Sequence, residues 1–293
     1  MLPKDLFQKV RRIEITTNRL VTDIFAGQYH SVFKGQGIEF EEVREYQFGD
    51  DIRTIDWNVT ARTGRPHIKK FVEERELTVM IMVDASRSCQ FASVNELKSK
   101  LAAEIAAVLA ISAIRNNDKV GLMIFTDQVE KFIPPRKGMR HVLRVIREAL
   151  YFKPEHTLTN LKTALDHVSR ILRRKAVVFV ISDFFGEAPV KNALAIANKR
   201  HDVIAITLND PSEIELPNCG LIQLEDAETG KEILVDSSDE MMRRRYAGQA
   251  AERIKLRERL FRSAGIDHID VATHIPYTEA MVKFFLQRRR RFR

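Results

Sequence analysis

The sequence has little cysteine and no long hydrophobic run. Two cysteines occur among 293 residues. They form no motif, which excludes a disulfide-rich scaffold and favours a reducing, cytoplasmic setting. No stretch reaches about 18 consecutive apolar residues, so no membrane-spanning helix is expected. The first residues also lack the apolar centre of a signal peptide, so no export signal is expected.

Several motifs of enzyme chemistry are missing as well. There is no Gly-rich loop ending in Lys-Ser or Lys-Thr, which argues against nucleotide hydrolysis by this chain. There is no His-Glu-x-x-His zinc motif, and the eight histidines are scattered. The segment Gly35-Gln-Gly37 lacks the spacing of a dinucleotide fingerprint. The sequence therefore predicts that the protein is not an enzyme.

What the sequence does contain is an alternation of apolar runs and amphipathic segments. Runs of strand length end near residues 83, 125, 181 and 207, and helical patterns separate them. This order predicts an α/β fold with a doubly wound, mainly parallel, Rossmann-like sheet over residues 76–293. Residues 1–75 are predicted to form an amphipathic helix over 4–24 and a β-containing extension that packs on the main domain.

Three local patterns give finer predictions. Ser93-x-x-Glu96 and Ser237-x-x-Glu240 both match the capping box that opens a helix. Residues 129–133 are predicted to form an edge strand that stops at Pro134-Pro135, since proline cannot donate to a strand ladder.

The chemistry is concentrated where the first apolar run ends. Asp84, Ser86 and Ser88 alternate along the chain. In an extended loop, side chains two residues apart point the same way, so three oxygen atoms could converge on one hard cation. Mg²⁺ suits such a site because it accepts a few protein oxygens and keeps several waters. Mn²⁺ and Ca²⁺ remain alternatives.

The Asp-x-Ser-x-Ser pattern resembles the metal-ion-dependent adhesion site of von Willebrand factor A domains. A longer pattern, from about Gly27 to the C-terminal helix, resembles the domain of unknown function fifty-eight, a von Willebrand factor A-like family associated with MoxR-type ATPases. The residues that carry this second resemblance are Tyr29, His30, Ser31, Gly35, Gln36, Gly37, Phe40, Arg44, Glu45, Tyr46, Gly49, Asp50, Asp51, Arg53, Asp56, Trp57, Ala61 and Arg62.

The resemblance implies further ligands and a function. Thr159 and Asp183 would join the metal site, with hydroxyls on the ion and acids often acting through water. The ion would then accept a carboxylate from a partner protein in its open position. The implied role is an adaptor or co-chaperone that works with a MoxR-type AAA+ ATPase on an unidentified client protein. No glycine precedes Thr159 or follows Asp183, and Thr157 competes with Thr159 for the same role. Arg87 and Cys89 lie within or beside the first loop.

Two other functions compete with this interpretation. A haloacid dehalogenase-like phosphohydrolase also places an acid after its first strand, but it needs a second acid where this chain has Ser86. The net charge of +8 and the basic run 288–293 would attract nucleic acid or an anionic membrane surface without specificity. The preferred interpretation of the run is a solvated helix end, where cations also suit the helix dipole. The Gly49–Trp57 segment is predicted to form a structural network of paired charges, with a docking surface as the alternative.

Overall fold

Two units, each with its own sheet, make up the part of the chain that the computed structural model describes: residues 39–72, 76–93, 97–185, 190–226 and 230–291. One unit is formed by Phe33–Leu77, and the other contains Thr78–Arg293. The predicted helix over residues 4–24 and the Gly35-Gln-Gly37 segment lie outside the described residues. Within the described ranges, no helix is both long and apolar enough to span a membrane.

The smaller unit is built on one antiparallel strand pair. Strand β1 (Glu39–Glu45) pairs with β2 (His67–Val72), and a 3₁₀ turn (Ile52–Thr54) and helix α1 (Trp57–Thr63) connect them. Asp56 caps α1 by accepting hydrogen bonds from the backbone N–H groups of its first turn. The fold of this unit therefore depends on short polar side chains at the start of each turn.

The acids of the Gly49–Trp57 segment are engaged within the smaller unit. Asp50 forms a bidentate ion pair with Arg44, with N–O distances of 2.7 and 2.9 Å, and it also accepts a hydrogen bond from the Gln47 N–H. Asp51 caps the 3₁₀ turn, and Asp56 lies 3.4 Å from the Lys69 ammonium. These contacts account for the acids as structural groups, while Trp57 is largely exposed.

The larger unit is organised around a six-stranded sheet with the strand order β10-β7-β6-β3-β4-β5. All neighbouring pairs are parallel except β4 with β5. Its strands are β3 (Thr78–Asp84), β4 (Lys119–Phe125), β5 (Val129–Arg136), β6 (Val177–Ser182), β7 (Asp202–Asn209) and β10 (Asp267–Ala272). A separate hairpin consists of β8 (Leu221–Glu225) and β9 (Glu232–Asp236).

Helices follow most of the strands, as the sequence predicted. They are α2 (Lys98–Arg115), α3 (Met139–Tyr151), α4 (Leu161–Ile171), α5 (Val190–Arg200), the short α6 (Pro211–Ile214), α7 (Glu240–Ala264) and α8 (Tyr277–Arg291). Strands β3 and β6 are almost completely buried, because they lie at the centre of the sheet. The predicted doubly wound, mainly parallel α/β fold is confirmed.

Neither predicted serine caps its helix, and Glu96 of the first predicted capping box lies outside the described residues. Helix α2 begins at Lys98 with Leu97 as its cap, and the Ser93 hydroxyl bonds to Asp210 instead. Helix α7 is capped by Asp239, while the buried Ser237 hydroxyl donates to the Gly220 carbonyl at 2.7 Å. In each case a partner distant in sequence competes successfully with the local backbone.

The predicted end of the edge strand was also wrong. Strand β5 continues through Pro134 and Pro135 to Arg136. The prolines are tolerated because β5 is the last strand of the sheet and its pairing with β4 is irregular between Val120 and Leu122. Gly121 lies at this irregularity, and a Cβ there would meet the Ile133 carbonyl at 2.9 Å, so only glycine fits without displacing the strand.

Candidate metal centre

The candidate site lies at the carboxyl ends of two neighbouring strands. Asp84 is the last residue of β3, and Asp183 directly follows β6. Both side chains are buried, as is Cys89 in the loop after β3. One carboxylate oxygen from each acid and the Cys89 Sγ lie within 4.8 Å of one another. Parallel pairing thus brings together two acids that are 99 positions apart in the chain.

The first loop folds back on its own aspartate. One oxygen of Asp84 accepts from the Ser86 N–H at 3.0 Å, and the other accepts from the Ser182 hydroxyl at 2.6 Å. The hydroxyl oxygens of Ser86 and Ser88 are 3.1 Å apart. The alternating residues Asp84, Ser86 and Ser88 therefore form one polar cluster. The predicted extended loop was wrong, however, because Arg87–Gln90 form a 3₁₀ turn.

The loop between α3 and α4, which carries Thr159 and is the second loop of the site, is tied by backbone hydrogen bonds to the Asp84–Ser88 loop and to the turn after β4. The Arg87 N–H donates to the Thr157 carbonyl at 2.9 Å, and the Asn160 N–H donates to the Thr126 carbonyl at 2.9 Å. Between these anchors, the Thr159 Oγ1 is buried and has no hydrogen-bond partner among the described residues. A buried hydroxyl without a partner is costly, so this atom marks a position that a ligand would satisfy.

Asp183 has a cationic partner of its own. The Lys98 ammonium lies 3.2 Å from Asp183 Oδ2 and also bonds to Glu213 of α6. The Lys98 side chain is completely buried. The other Asp183 oxygen accepts from the Phe185 N–H at 3.1 Å. Asp183 thus lies close to Asp84, but its carboxylate is already paired with Lys98.

Sequence reasoning missed Lys98 and Glu213. A lysine at the start of an amphipathic segment is normally exposed, and nothing in the local pattern signals its burial. Glu213 belongs to the short helix α6, whose capping box with Asp210 is present in the sequence as Asp210-Pro211-Ser212-Glu213. That local signal predicts a helix start, but it does not predict the contact with Lys98.

Burial controls the ionisation of this cluster. Burial and the neighbouring charge of Asp183 raise the pKa of Asp84 to about 6. Burial, reinforced by Asp84 and Asp183, raises the pKa of the Cys89 thiol, which keeps it protonated. Burial alone would lower the pKa of Lys98, but the charges of Asp183 and Glu213 outweigh it and raise that pKa. The cluster is therefore rich in negative charge at neutral pH.

The departures from the adhesion-site pattern have structural explanations. Phe184, where a glycine was expected, adopts a left-handed backbone with φ of 52° and packs edge-on against Phe261 at 5.0 Å. Arg87 does not enter the cluster, because its guanidinium pairs with Glu225 of β8 at 2.7 Å. Neither residue blocks the group of oxygens formed by the two loops.

The oxygen atoms fit a small, hard divalent cation. The two loops supply one buried carboxylate, from Asp84, and the hydroxyls of Ser86, Ser88 and Thr159. Mg²⁺ and Mn²⁺ both accept ligands of this kind. The Thr159 hydroxyl, which has no hydrogen-bond partner among the described residues, is available to coordinate such an ion. The protonated Cys89 thiol makes the set less suited to a soft metal.

A family model described as "Protein of unknown function DUF58" matches residues 42–255. The chain belongs to this family. Its relatives include the "Uncharacterized protein Rv1480" of Mycobacterium tuberculosis, which is 31% identical over 283 residues, covering 96% of this chain and 89% of that protein. The resemblance that the sequence pattern indicated is thereby confirmed.

Two solved structures are similar to this DUF58 protein in fold. An aerotolerance-related membrane protein from Bacteroides fragilis covers 73% of this chain and 99% of its own, with 17% identity and a TM-score of 0.51. The VWA domain of SpRpn10 covers 71% of this chain and 94% of its own, with 10% identity and a TM-score of 0.38. The likeness to the Bacteroides fragilis protein agrees with the mainly parallel α/β sheet of the larger unit.

The C-terminal arginines of this DUF58 protein are divided between structure and surface. Arg288 is buried and pairs with Asp202 and Asp267, at the amino ends of β7 and β10. Arg291 pairs with Asp267 at 2.8 Å, whereas Arg290 is exposed. The basic run thus contributes to the fold, and residues 292–293 lie outside the described part of the chain.

Proposed function

We propose that this protein is an interaction module in which a divalent cation, Mg²⁺ or Mn²⁺, links it to an acidic side chain of a partner. Asp84, Ser86, Ser88 and Thr159 would hold the ion, with Asp183 beside it. The observation that carries the proposal is the buried Thr159 hydroxyl, which has no hydrogen-bond partner among the described residues and lies in a loop anchored to the Asp84–Ser88 loop.

The donor set explains why such an ion would seek a partner. Three of its four proposed ligands are neutral hydroxyls, and Asp84 supplies the one carboxylate among them. Few direct negative ligands leave the bound ion with most of its charge, which attracts an external carboxylate. The hydrogen bonds from Ser86 and Ser182 fix the Asp84 carboxylate in place, so the chain positions the ion without any catalytic step.

We further propose that the partner is a MoxR-type AAA+ ATPase, for which this chain is an adaptor or co-chaperone in the cytoplasm, acting on a client protein. The family resemblance of the Gly49–Trp57 segment and the metal loop supports this assignment. An adaptor also needs a binding surface rather than a reactive centre, and the proposed site supplies one charged contact of that kind.

Metal binding is tested by titrating Mn²⁺ or Mg²⁺ into the purified protein and measuring the heat of binding. Thr159→Val removes the hydroxyl and keeps the shape of the side chain, so it should weaken Mn²⁺ binding by about tenfold or more, since one ligand of the ion is lost. The matched control is Thr163→Val, on the exposed face of α4, which should bind like the wild type. Equal affinity in Thr159→Val and wild type would contradict the site.

Partner binding is tested by capturing the MoxR-type ATPase of the source organism with the immobilised protein. Chelation by EDTA should weaken the complex by roughly ten- to a hundredfold, and added Mg²⁺ should restore it. Arg87 provides the alternative contact for an acidic partner, because it lies within the Asp84–Ser88 loop and is half exposed in its pair with Glu225. A complex that resists EDTA but is lost in Arg87→Ala would exclude the metal link.

A further inference from the structure

Lys98 is an unusual residue for its position. It is the first residue of helix α2, where the positive end of the helix dipole disfavours a cation. Its side chain is completely buried, and removing an ammonium group from water is costly unless it is paired. Two carboxylates, from Asp183 and Glu213, provide this pairing.

The surroundings of Lys98 connect three loops at the carboxyl edge of the sheet. Lys98 follows the β3 loop, Asp183 follows β6, and Glu213 lies in α6 after β7. The ring of Phe185 also lies near the ammonium, with its centroid 5.2 Å away. Because these groups come from three connections, the position of the Lys98 charge is tightly fixed.

The Asp183 carboxylate lies within reach of two cations, the Lys98 ammonium and a divalent ion bound beside Asp84. One of its oxygens is within 4.8 Å of an Asp84 oxygen, and Oδ2 is 3.2 Å from the Lys98 ammonium. Nearby Arg257 contacts the same turn through the Asp183 backbone carbonyl, at 3.0 Å, and not through the carboxylate. A divalent ion held beside Asp84 would therefore share the Asp183 charge with Lys98.

We propose that Lys98 is a positioning residue that sets the affinity of the metal site by holding the Asp183 carboxylate as its own partner. The inference rests on the proposed metal-assisted function and adds its regulation by a tethered positive charge. In the wild type, Lys98 neutralises Asp183 and keeps the ion weakly bound. A change that weakens Lys98's hold on Asp183 should strengthen ion binding, and a change that tightens this hold should weaken it.

Three variants, titrated with Mn²⁺ at pH 8, test the proposal. Lys98→Met removes the buried charge but keeps the length and apolar character of the stem, so Mn²⁺ affinity should rise by roughly ten- to a hundredfold. Glu213→Gln leaves Asp183 as the carboxylate partner of Lys98, so affinity should fall by about three- to tenfold. Lys199→Met, an exposed lysine in the last turn of α5, is the control and should not change affinity.

The structure of the Mn²⁺ complex supplies a readout that a purely structural role would not change. In the Lys98→Met complex the Asp183 carboxylate should turn towards the ion, whereas in the wild-type complex it should stay paired with the Lys98 ammonium. If the wild type binds Mn²⁺ and Lys98→Met binds it equally well, the Lys98 proposal is overturned and the proposed function stands.

Other outcomes are equally decisive. If neither the wild type nor Lys98→Met binds Mn²⁺, both proposals fail. If only Lys98→Met binds, the inference about Lys98 is supported. If Lys98→Met does not fold, Glu213→Gln decides, because an unchanged Mn²⁺ affinity in that variant would overturn the role of Lys98.

Discussion

The two ends of the central sheet pair their charges in different ways. At the amino end, Arg288 and Arg291 face Asp202 and Asp267, so two cations meet two acids. At the carboxyl end, the salt bridges of Asp183 and Glu213 both run to Lys98, while Asp84 has hydroxyl and backbone partners among the described residues.

The two ends differ in how well their acids and cations balance, which distinguishes a structural contact from the candidate metal site. At the amino end the charges of the acids and arginines balance, so no further cation is required. These ion pairs hold the last helix, α8, on the sheet. The carboxyl end contains more acid than base in a buried setting, which is unfavourable without another cation. The comparison therefore predicts opposite responses to mutation and to metal at the two ends.

The largest effect in this comparison is expected from Arg288→Met, at the amino end. The substitution leaves Asp202 and Asp267 without their buried partner, and the free energy of unfolding should fall by about 3 kcal/mol. Urea unfolding with and without Mg²⁺ measures this free energy, and the loss of stability should be the same in both conditions. Arg290→Met, which removes an exposed charge from the same helix, should change stability by no more than about 0.5 kcal/mol. A similar loss in both variants would contradict the structural role of Arg288.

Asp84→Asn should change the free energy of unfolding by an intermediate amount, and it should raise this free energy rather than lower it. Because burial and Asp183 raise the pKa of Asp84 to about 6, its charge destabilises the metal-free fold at pH 7.5. In EDTA, the variant should be more stable than the wild type by about 1–3 kcal/mol, and this gain should fade as the pH falls through about 6 and Asp84 takes up its proton.

The matched control for this change is Asp166→Asn, which neutralises an exposed acid on α4. It should leave stability nearly unchanged at both pH values. In saturating Mg²⁺ the advantage of Asp84→Asn should disappear, because the cation stabilises the wild type. A wild type that remains the more stable protein in EDTA would show that the Asp84 charge is already well compensated.

The smallest effect concerns His201, at the amino end of β7. Its ring is buried, and neither nitrogen has a hydrogen-bond partner among the described residues. Burial, with the charge of Arg200, lowers the pKa of His201, so the unfolded chain binds the proton more readily. Stability should be full above about pH 6.5 and should fall by about 1 kcal/mol towards pH 5.5.

His201→Leu removes this titrating group, so the slope of unfolding free energy between pH 7.5 and 5.5 should become shallower. His274→Leu, which removes an exposed histidine, should keep the slope of the wild type. The slope is the quantity to compare, because the leucine itself can change the absolute stability of the fold. Identical slopes in wild type and His201→Leu would exclude His201 as the acid-sensitive group.

Much of the site could be predicted because its signals are local. Alternation placed Asp84, Ser86 and Ser88 on one loop, and continuous apolar runs identified the two buried strands that carry Asp84 and Asp183. The rest depends on partners far apart in sequence: Lys98 is 85 positions from Asp183 and 115 from Glu213. No periodicity encodes such a meeting, because it results from how three loops converge at one edge of the sheet.

The errors at Ser93 and Ser237 have the same origin. A serine three residues before a glutamate favours a helix cap in isolation, but each hydroxyl can bond only a few groups at a time. Asp210 lies 117 positions from Ser93 and receives both its N–H and its hydroxyl. Tertiary contacts of this kind override a local propensity worth about 1 kcal/mol.

The two prolines of β5 affect how the sheet can associate with other chains. An outermost strand normally offers a row of free N–H and C=O groups, onto which a strand from another molecule can add. Pro134 and Pro135 have no N–H to offer, and they lie where the pairing with β4 is already irregular. This side of the sheet is therefore protected against edge-to-edge aggregation, which matters for a module whose proposed task is to bind one partner selectively.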